Sequence, residues 1–271
     1  MTESFDDLAL LALQIGGVLD TRGRIAGRFG ITLASGGDGQ ALWIGAEVPE
    51  PLARELAAAF DQAPRPVNPG DPPPALERCA QLLAAAGGGD ALERAAGPSY
   101  VFPPGARLAS EAADAAIIAS DAPAAERARI VNPGNWEPIE WDELIAGQLG
   151  PWTIAVDGAR AISICHTPGP LTERAAECGV WTDPAYRGRG LAAATAAAWL
   201  PLVRTPDRRV FYSTEFTNVS SQRVAQRLQL RPIGWTWRLY RPLRGAGLHP
   251  LCSLARTRQA ASQVAIVTSS P

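Results

Sequence analysis

Residues 183–192 read Asp183-Pro-Ala-Tyr-Arg-Gly-Arg-Gly-Leu-Ala192. Strand-like sequence, Ala175 to Thr182, precedes them, and an alanine-rich helical run follows as far as Leu200, where Pro201 is expected to stop it. A strand that enters a helix through glycines turns several unpaired backbone N–H groups, and the positive end of the helix dipole, toward one point. Glycine has no Cβ, so a bulky anion can approach the main chain closely. Such a turn cradles a pyrophosphate. Arg187 and Arg189 add guanidinium forks suited to phosphate oxygens.

Reading outward, Trp152–Val156, the pair Asp157-Gly158 and Ala161–His166 form a β-hairpin pattern with a tight turn. Downstream, Val210 to Phe216 is a strand candidate and Ser220 to Leu230 a helix capped by Asn218. Ile233 to Tyr240 alternates at period two, as a half-buried strand does. From residue 150 the expected order is β-β-β-α-β-α-β, an α/β (α+β) arrangement. Earlier in the chain, residues 8–19 read as a short apolar helix, and Phe29–Ala34 and Ala41–Val48 as strands around Ser-Gly-Gly-Asp-Gly. Helices are expected over 51–60, over 75–86 and, from alanine content, near 109–129, with a looser stretch through Pro103-Pro104-Gly105. The proline-rich segment 63–75 reads as a linker.

Composition narrows the chemistry. The 271 residues include 25 basic side chains, all arginine, against 27 acidic ones, a formal net charge of −2. That balance argues against a nucleic-acid binder working through a broad basic surface. The 49 alanines, 26 glycines and 24 prolines, with no lysine, fit a GC-rich codon bias. Whatever its cause, the missing lysine leaves none for a Schiff base or a P-loop. A hydrophobic content of 46% is that of a folded chain. The cysteines Cys79, Cys165, Cys178 and Cys252 form no C-x-x-C pair, and only His166 and His249 accompany them, so no metal site is expected. The acidic start lacks the basic region of a secretory leader, and no run approaches the ~20 apolar residues of a membrane span. A cytoplasmic protein without membrane or nucleic-acid partners is expected.

The glycine turn admits several readings. Gly188-Arg-Gly190-Leu-Ala-Ala193 formally fits a dinucleotide fingerprint, but here the glycines follow a hairpin and a third strand rather than opening a first β-α unit. A purely structural turn is a second reading. The third is a resemblance. Arg187-Gly-Arg-Gly190-Leu-Ala192, with the preceding Pro-x-Tyr, resembles the R/Q-x-x-G-x-G/A signature of the GCN5-related N-acetyltransferase (GNAT) superfamily. Asn218-Val-Ser-Ser221 through Leu228-Gln-Leu230 is similar to that family's Asn-x-x-Ser…Leu-Gly-Phe helix.

The resemblance covers roughly 130–242 and implies a splayed mixed β-sheet flanked by helices. The division expected is a smaller α/β domain over 1–125, a GNAT domain over 126–245 and a tail over 246–271, in which Val264–Val267 could add an edge strand. The resemblance implies acetyl-CoA as acyl donor. Arg187, Gly188, Arg189, Gly190, Leu191 and Ala192 would hold its pyrophosphate, and main-chain groups of Val180, Trp181 and Thr182 its pantetheine arm. Asn218 would meet that arm from the other side, with Ser221 near the thioester sulfur.

An amine acceptor must lose a proton before it attacks, so a carboxylate is wanted. Glu177 is the candidate, although the family's base position falls nearer Ala176, so a bulge or shifted register is required. Glu173 and Glu215 are reserves, and His166 reads as a packed or surface histidine. Many family members carry a tyrosine seven residues after the asparagine; here that position is Ala225, and its role passes to Ser221 or a water. Trp235 and Trp237 read as core or substrate-wall aromatics. The alternatives are a non-catalytic acyl-CoA-binding protein and, less favoured, an NAD(P)-dependent oxidoreductase. The first 125 residues could shape a substrate site, form a homodimer or be a degenerate second acetyltransferase fold.

Overall fold

The computed structural model describes residues 6–27, 29–68, 70–87, 91–105 and 115–240. In chain order its first elements are α1 (Asp7–Gly16), β1 (Phe29–Ser35), β2 (Gln40–Ile44), α2 (Glu50–Gln62), α3 (Ala75–Ala86) and β3 (Glu93–Val101). Next come β4 (Ala116–Ala119), α4 (Ala124–Arg127), α5 (Pro138–Ile145), β5 (Trp152–Asp157) and β6 (Arg160–His166). The last are β7 (Ala175–Glu177), β8 (Gly179–Thr182), α6 (Leu191–Val203), β9 (Arg209–Ser213), α7 (Val219–Arg227) and β10 (Arg231–Tyr240). The fold is mixed α/β. Among the described residues, one compact unit takes those up to Pro98, Pro168–Pro170 and those from Ile233; the other takes Ser99–Thr167 and Leu171–Pro232.

In the first unit, α1 starts where Asp6 Oδ1 accepts the Ala9 N–H at 2.7 Å. The hairpin β1–β2 closes through Gly36 N–H to Gly39 O at 2.8 Å, the turn that Ser-Gly-Gly-Asp-Gly announces. β10 pairs antiparallel with β1, and Gly234 is where the two come closest: a Cβ there would lie 2.2 Å from Ser35 O. Leu56, Cys79, Ala80 and Leu83 of α2 and α3 close over Ile31, Leu33, Trp237 and Leu239. Burying one such aliphatic side chain contributes about 1.5–3 kcal/mol. Trp235 and Trp237 stack at 6.0 Å and belong to this core. The proline-rich stretch joins α2 to α3, two helices packed in one unit.

The second unit contains the antiparallel order β4-β5-β6-β8 and the order β3-β9-β7. Within it β7 runs parallel to β9, and residues 99–101 of β3 run antiparallel to β9. Helix α6 is apolar all round, with Leu191, Ala193, Ala194, Ala196, Trp199, Leu200 and Val203 buried. Its alanines permit close approach to the sheet. Thr153 Oγ1 donates to Thr195 O at 2.7 Å, and Trp199 Nε1 to Pro151 O at 2.9 Å.

Several local expectations change. Residues 116–119, expected as helix, are a strand, because Ile117 and Ile118 find ladder partners in Ala155 and Ile154. The helix that follows has four residues, 124–127, and 109–114 lie outside the described residues. Helix α5 begins at Pro138, whose fixed φ suits a first helical position. Strand β3 forms in the stretch read as looser, despite Gly97-Pro98. Helix α6 continues through Pro201 to Val203. The 246–271 tail, with Val264–Val267, lies outside the described residues. Among those described, no helix is long and apolar enough to cross a membrane.

Candidate active site

The site is built where the third predicted strand breaks. Residues 175–182 form two short strands rather than one. Glu177 pairs with Phe211 of β9, and Cys178 N–H donates to Phe211 O at 2.8 Å. One residue later Gly179 pairs with His166 of β6. Among the described residues no further rung joins β8 to β9, so the two strands part at Cys178. The break falls directly after Glu177.

The break leaves β8 with an open edge. Asp183 N–H donates to Ile162 O at 2.9 Å, so the main chain of Asp183 faces β6. Peptide groups alternate in direction along a strand, which turns Trp181 toward β6 and Val180 and Thr182 toward the open edge. Arg187 Nε donates to Thr182 O at 3.3 Å on that edge.

Beyond β8 the chain turns through the glycine loop. Asp183, 7% exposed, anchors it: Oδ1 accepts the Ala185 N–H at 2.9 Å, and Oδ2 accepts from Arg160 Nη2 at 2.7 Å. Gly188 and Gly190 hold φ of 80° and 79°, values a side chain would strain. Gly190 is the N-cap of α6, and no side chain caps that helix. The N–H groups of Leu191, Ala192 and Ala193, in the first turn, therefore have no intrahelical acceptor. The Arg189 guanidinium carbon lies 4.9 Å from the Tyr186 ring centre, and Tyr186 OH donates to Asp157 Oδ2 at 2.5 Å.

Arg227, which motif reading passes over, lies beside this helix start. A Cβ at Gly190 would lie 2.9 Å from Nη1 of Arg227, which comes from the last turn of α7. Among the described residues no carboxylate pairs with Arg187, Arg189 or Arg227. A guanidinium beside the positive end of a helix is unfavourable unless an anion joins them.

Consecutive residues of β9 place two polar pairs on opposite faces of the sheet. Ser213 Oγ donates to Glu177 Oε1 at 2.7 Å on one face, which Ser99, directly across the ladder, shares. Ser99 Oγ is buried and has no partner among the described residues. On the other face Tyr212 OH lies 2.6 Å from Ser221 Oγ. Ser221 itself is set by Asn218, whose Oδ1 accepts the Ser221 N–H at 3.0 Å. That capping bond leaves the Asn218 NH2 as the donor it can offer a ligand. Ala225, where a tyrosine is absent, is buried. The helix-ending glycine of the motif is Gln229, held at φ 52°, the one non-glycine with positive φ among the described residues. Such a conformation costs about 1 kcal/mol.

The reserve carboxylates Glu173 and Glu215 are exposed. The His166 ring meets the edge of Trp136 at 5.1 Å. Cys165 and Cys178 are buried with Sγ atoms 3.5 Å apart, and burial pushes the Cys165 thiol well above its usual range. Among the described residues no group of three or more His, Cys, Asp or Glu could hold a metal ion.

Residues 106–231 match the family model of the acetyltransferase (GNAT) domain. That stretch, a little under half of the chain, is similar to a GNAT domain. Among solved structures, a GCN5-related N-acetyltransferase from Kribbella flavida is 16% identical, over 89% of this chain and 97% of that one, with a TM-score of 0.45. A GCN5-related N-acetyltransferase-like protein from Streptococcus suis is 14% identical, over 83% and 87%, also at 0.45. A GNAT-family protein from Novosphingobium aromaticivorans is 20% identical, with a TM-score of 0.40. The match to it takes 56% of this chain and spans 66% of its length. No curated protein matches the chain.

Proposed function

We propose that this GNAT-like domain transfers an acetyl group from acetyl-CoA to an amine by direct attack. The observation that carries the reading is the uncapped, glycine-led start of α6, with the Arg227 guanidinium beside Gly190 and Arg187 and Arg189 on the loop that leads into the helix. It fits the pyrophosphate through N–H groups from Gly188 to Ala192. The outward main chain of Val180 and Thr182 suits the amide groups of the pantetheine arm, with Trp181 holding the strand to β6 and the Asn218 NH2 on the opposite side. The acceptor ammonium gives its proton to Glu177, and the amine lone pair then attacks the acetyl carbon. As the tetrahedral oxyanion collapses, the nitrogen gives its second proton to water, the carbon–sulfur bond breaks and its electron pair leaves on sulfur. Ser221 is the group proposed beside that sulfur.

Support comes from the position of Glu177 at the break, with Ser213 orienting its carboxylate. The buried Ala225 favours a second reading, a non-catalytic acyl-CoA-binding protein. The family match leaves the nicotinamide reading without support. The N-terminal unit is proposed to shape the acceptor site, and the protein to work in the cytoplasm without a metal.

Acetyl-CoA should raise the melting temperature, because a ligand that binds only the native state stabilises it. Release of free CoA with a panel of amines tests turnover. No stabilisation would sink the reading, and stabilisation without turnover on any acceptor would favour the binder. Asp183→Ala removes the loop's anchor, leaving the Ala185 N–H and the Arg160 guanidinium without it. Losing about 1–2 kcal/mol of preorganisation predicts acetyl-CoA binding weakened about tenfold by calorimetry. An unchanged affinity would show that the loop holds its shape without Asp183.

A further inference from the structure

The two hydroxyls on the α7 face of the sheet form a pair with a defined direction. Tyr212 is 1% exposed, and its OH lies 2.6 Å from Ser221 Oγ and 3.4 Å from Ser221 O. Among the described residues, both acceptors within its reach therefore belong to Ser221. A phenol is more acidic than an alkyl alcohol, and Ser221 Oγ at 2.6 Å is far nearer than Ser221 O at 3.4 Å, so the Tyr212 proton is assigned to Oγ. Ser221 Oγ then accepts from Tyr212, and its own hydrogen must point elsewhere. Ser221 is half-buried in the first turn of α7. Tyr212 lies one residue past Phe211, where the last β7–β9 rung is made and the open gap begins.

We propose that Tyr212 is a positioning residue that fixes Ser221 as a hydrogen-bond donor to the sulfur leaving the acetyl group. It thereby takes over, from the strand below α7, the task for which Ala225 has no hydroxyl. This inference rests on the transferase reading. The proton balance needs no transfer from the tyrosine. The ammonium's first proton ends on Glu177, on the other face, its second passes to water from the tetrahedral intermediate, and CoA departs as a thiolate held by the Ser221 O–H. Burial raises the Tyr212 phenol well above its usual range, which keeps it protonated.

The test does not depend on knowing the acceptor. Free CoA is bound to the protein, and ionisation of its thiol is followed by thiolate absorbance across pH. In the wild type the bound thiol should ionise below the pH at which free CoA does. Ser221→Ala and Tyr212→Phe should each abolish that shift while CoA affinity at low pH stays within about twofold. The double variant should match Ser221→Ala, since Tyr212 acts only through Ser221. With an active acceptor, kcat should fall about tenfold in Tyr212→Phe with KM for acetyl-CoA nearly unchanged.

A wild-type-like thiol shift in Tyr212→Phe overturns the inference. So does a further loss from Tyr212→Phe in the Ser221→Ala background. Absence of CoA binding in the wild type would instead overturn the transferase reading beneath it. Should Tyr212→Phe fail to fold, site-specific replacement of Tyr212 by 3,5-difluorotyrosine supplies a near-isosteric, more acidic donor. It should deepen the thiol shift, and no change would count against the assignment.

Discussion

Gly190→Trp should abolish stabilisation by acetyl-CoA while leaving the fold intact. The effect has two sources. The backbone at Gly190 holds φ 79°, which any side chain strains, and the first side-chain atom would sit 2.9 Å from the Arg227 guanidinium. An indole placed there displaces Arg227 and covers the N–H groups that open α6. Loss of the pyrophosphate site should cost at least about 2.7 kcal/mol, a hundredfold in affinity. At ligand concentrations near one hundred times the wild-type Kd, the wild type gains about 2.7 kcal/mol, a few degrees in melting temperature. The variant should gain at most about 0.4 kcal/mol, within about a degree of no shift. Circular dichroism of the free variant separates this outcome from unfolding, and a retained ligand shift would show that the phosphates bind elsewhere.

Glu177→Gln should lower kcat by about two to three orders of magnitude, the usual worth of a positioned general base. The substitution is gentle on the structure. The amide oxygen can still accept from Ser213, which donates to Glu177 Oε1 at 2.7 Å in the native protein. What it cannot do is take a proton from an ammonium. Acetyl-CoA affinity should therefore stay within about twofold, and the acid limb of the kcat/KM profile should disappear. A fall below threefold would move the base to Glu173, Glu215 or a water. Their exposure makes the two carboxylates poor candidates, because an exposed carboxylate is held in place by little.

The parts of the site legible in the chain are those whose geometry is local. Gly188 and Gly190 before an alanine run announce a glycine-led helix start, and Asn218 three residues before Ser221 announces a cap. Both lie within one turn of the residues that specify them. The continuous run Ala175–Thr182 carries no mark of the break at Cys178. Where it occurs is decided by β9 on one side and β6 on the other, more than thirty residues downstream and about a dozen upstream. The same distance hides Tyr212, Ser213 and Arg227. Each looks like an ordinary strand or helix residue until another element meets it. Ala116–Ala119 errs in the opposite direction, since alanine content favours helix and a ladder with β5 overrules it.

The absence of lysine is determined by the sequence alone, and it excludes a P-loop. The sequence also determined the glycine turn, the cap of α7 and the missing tyrosine at 225, because each is written in adjacent residues. Only the tertiary structure decided which arginine lies beside Gly190 and which hydroxyl stands behind Ser221. It also decided that Glu177 and Ser221 belong to polar pairs on opposite faces of one sheet. The physical reason is the alternation of side chains along β9: Tyr212 and Ser213 are neighbours in the chain, but the pleat sends one to each face.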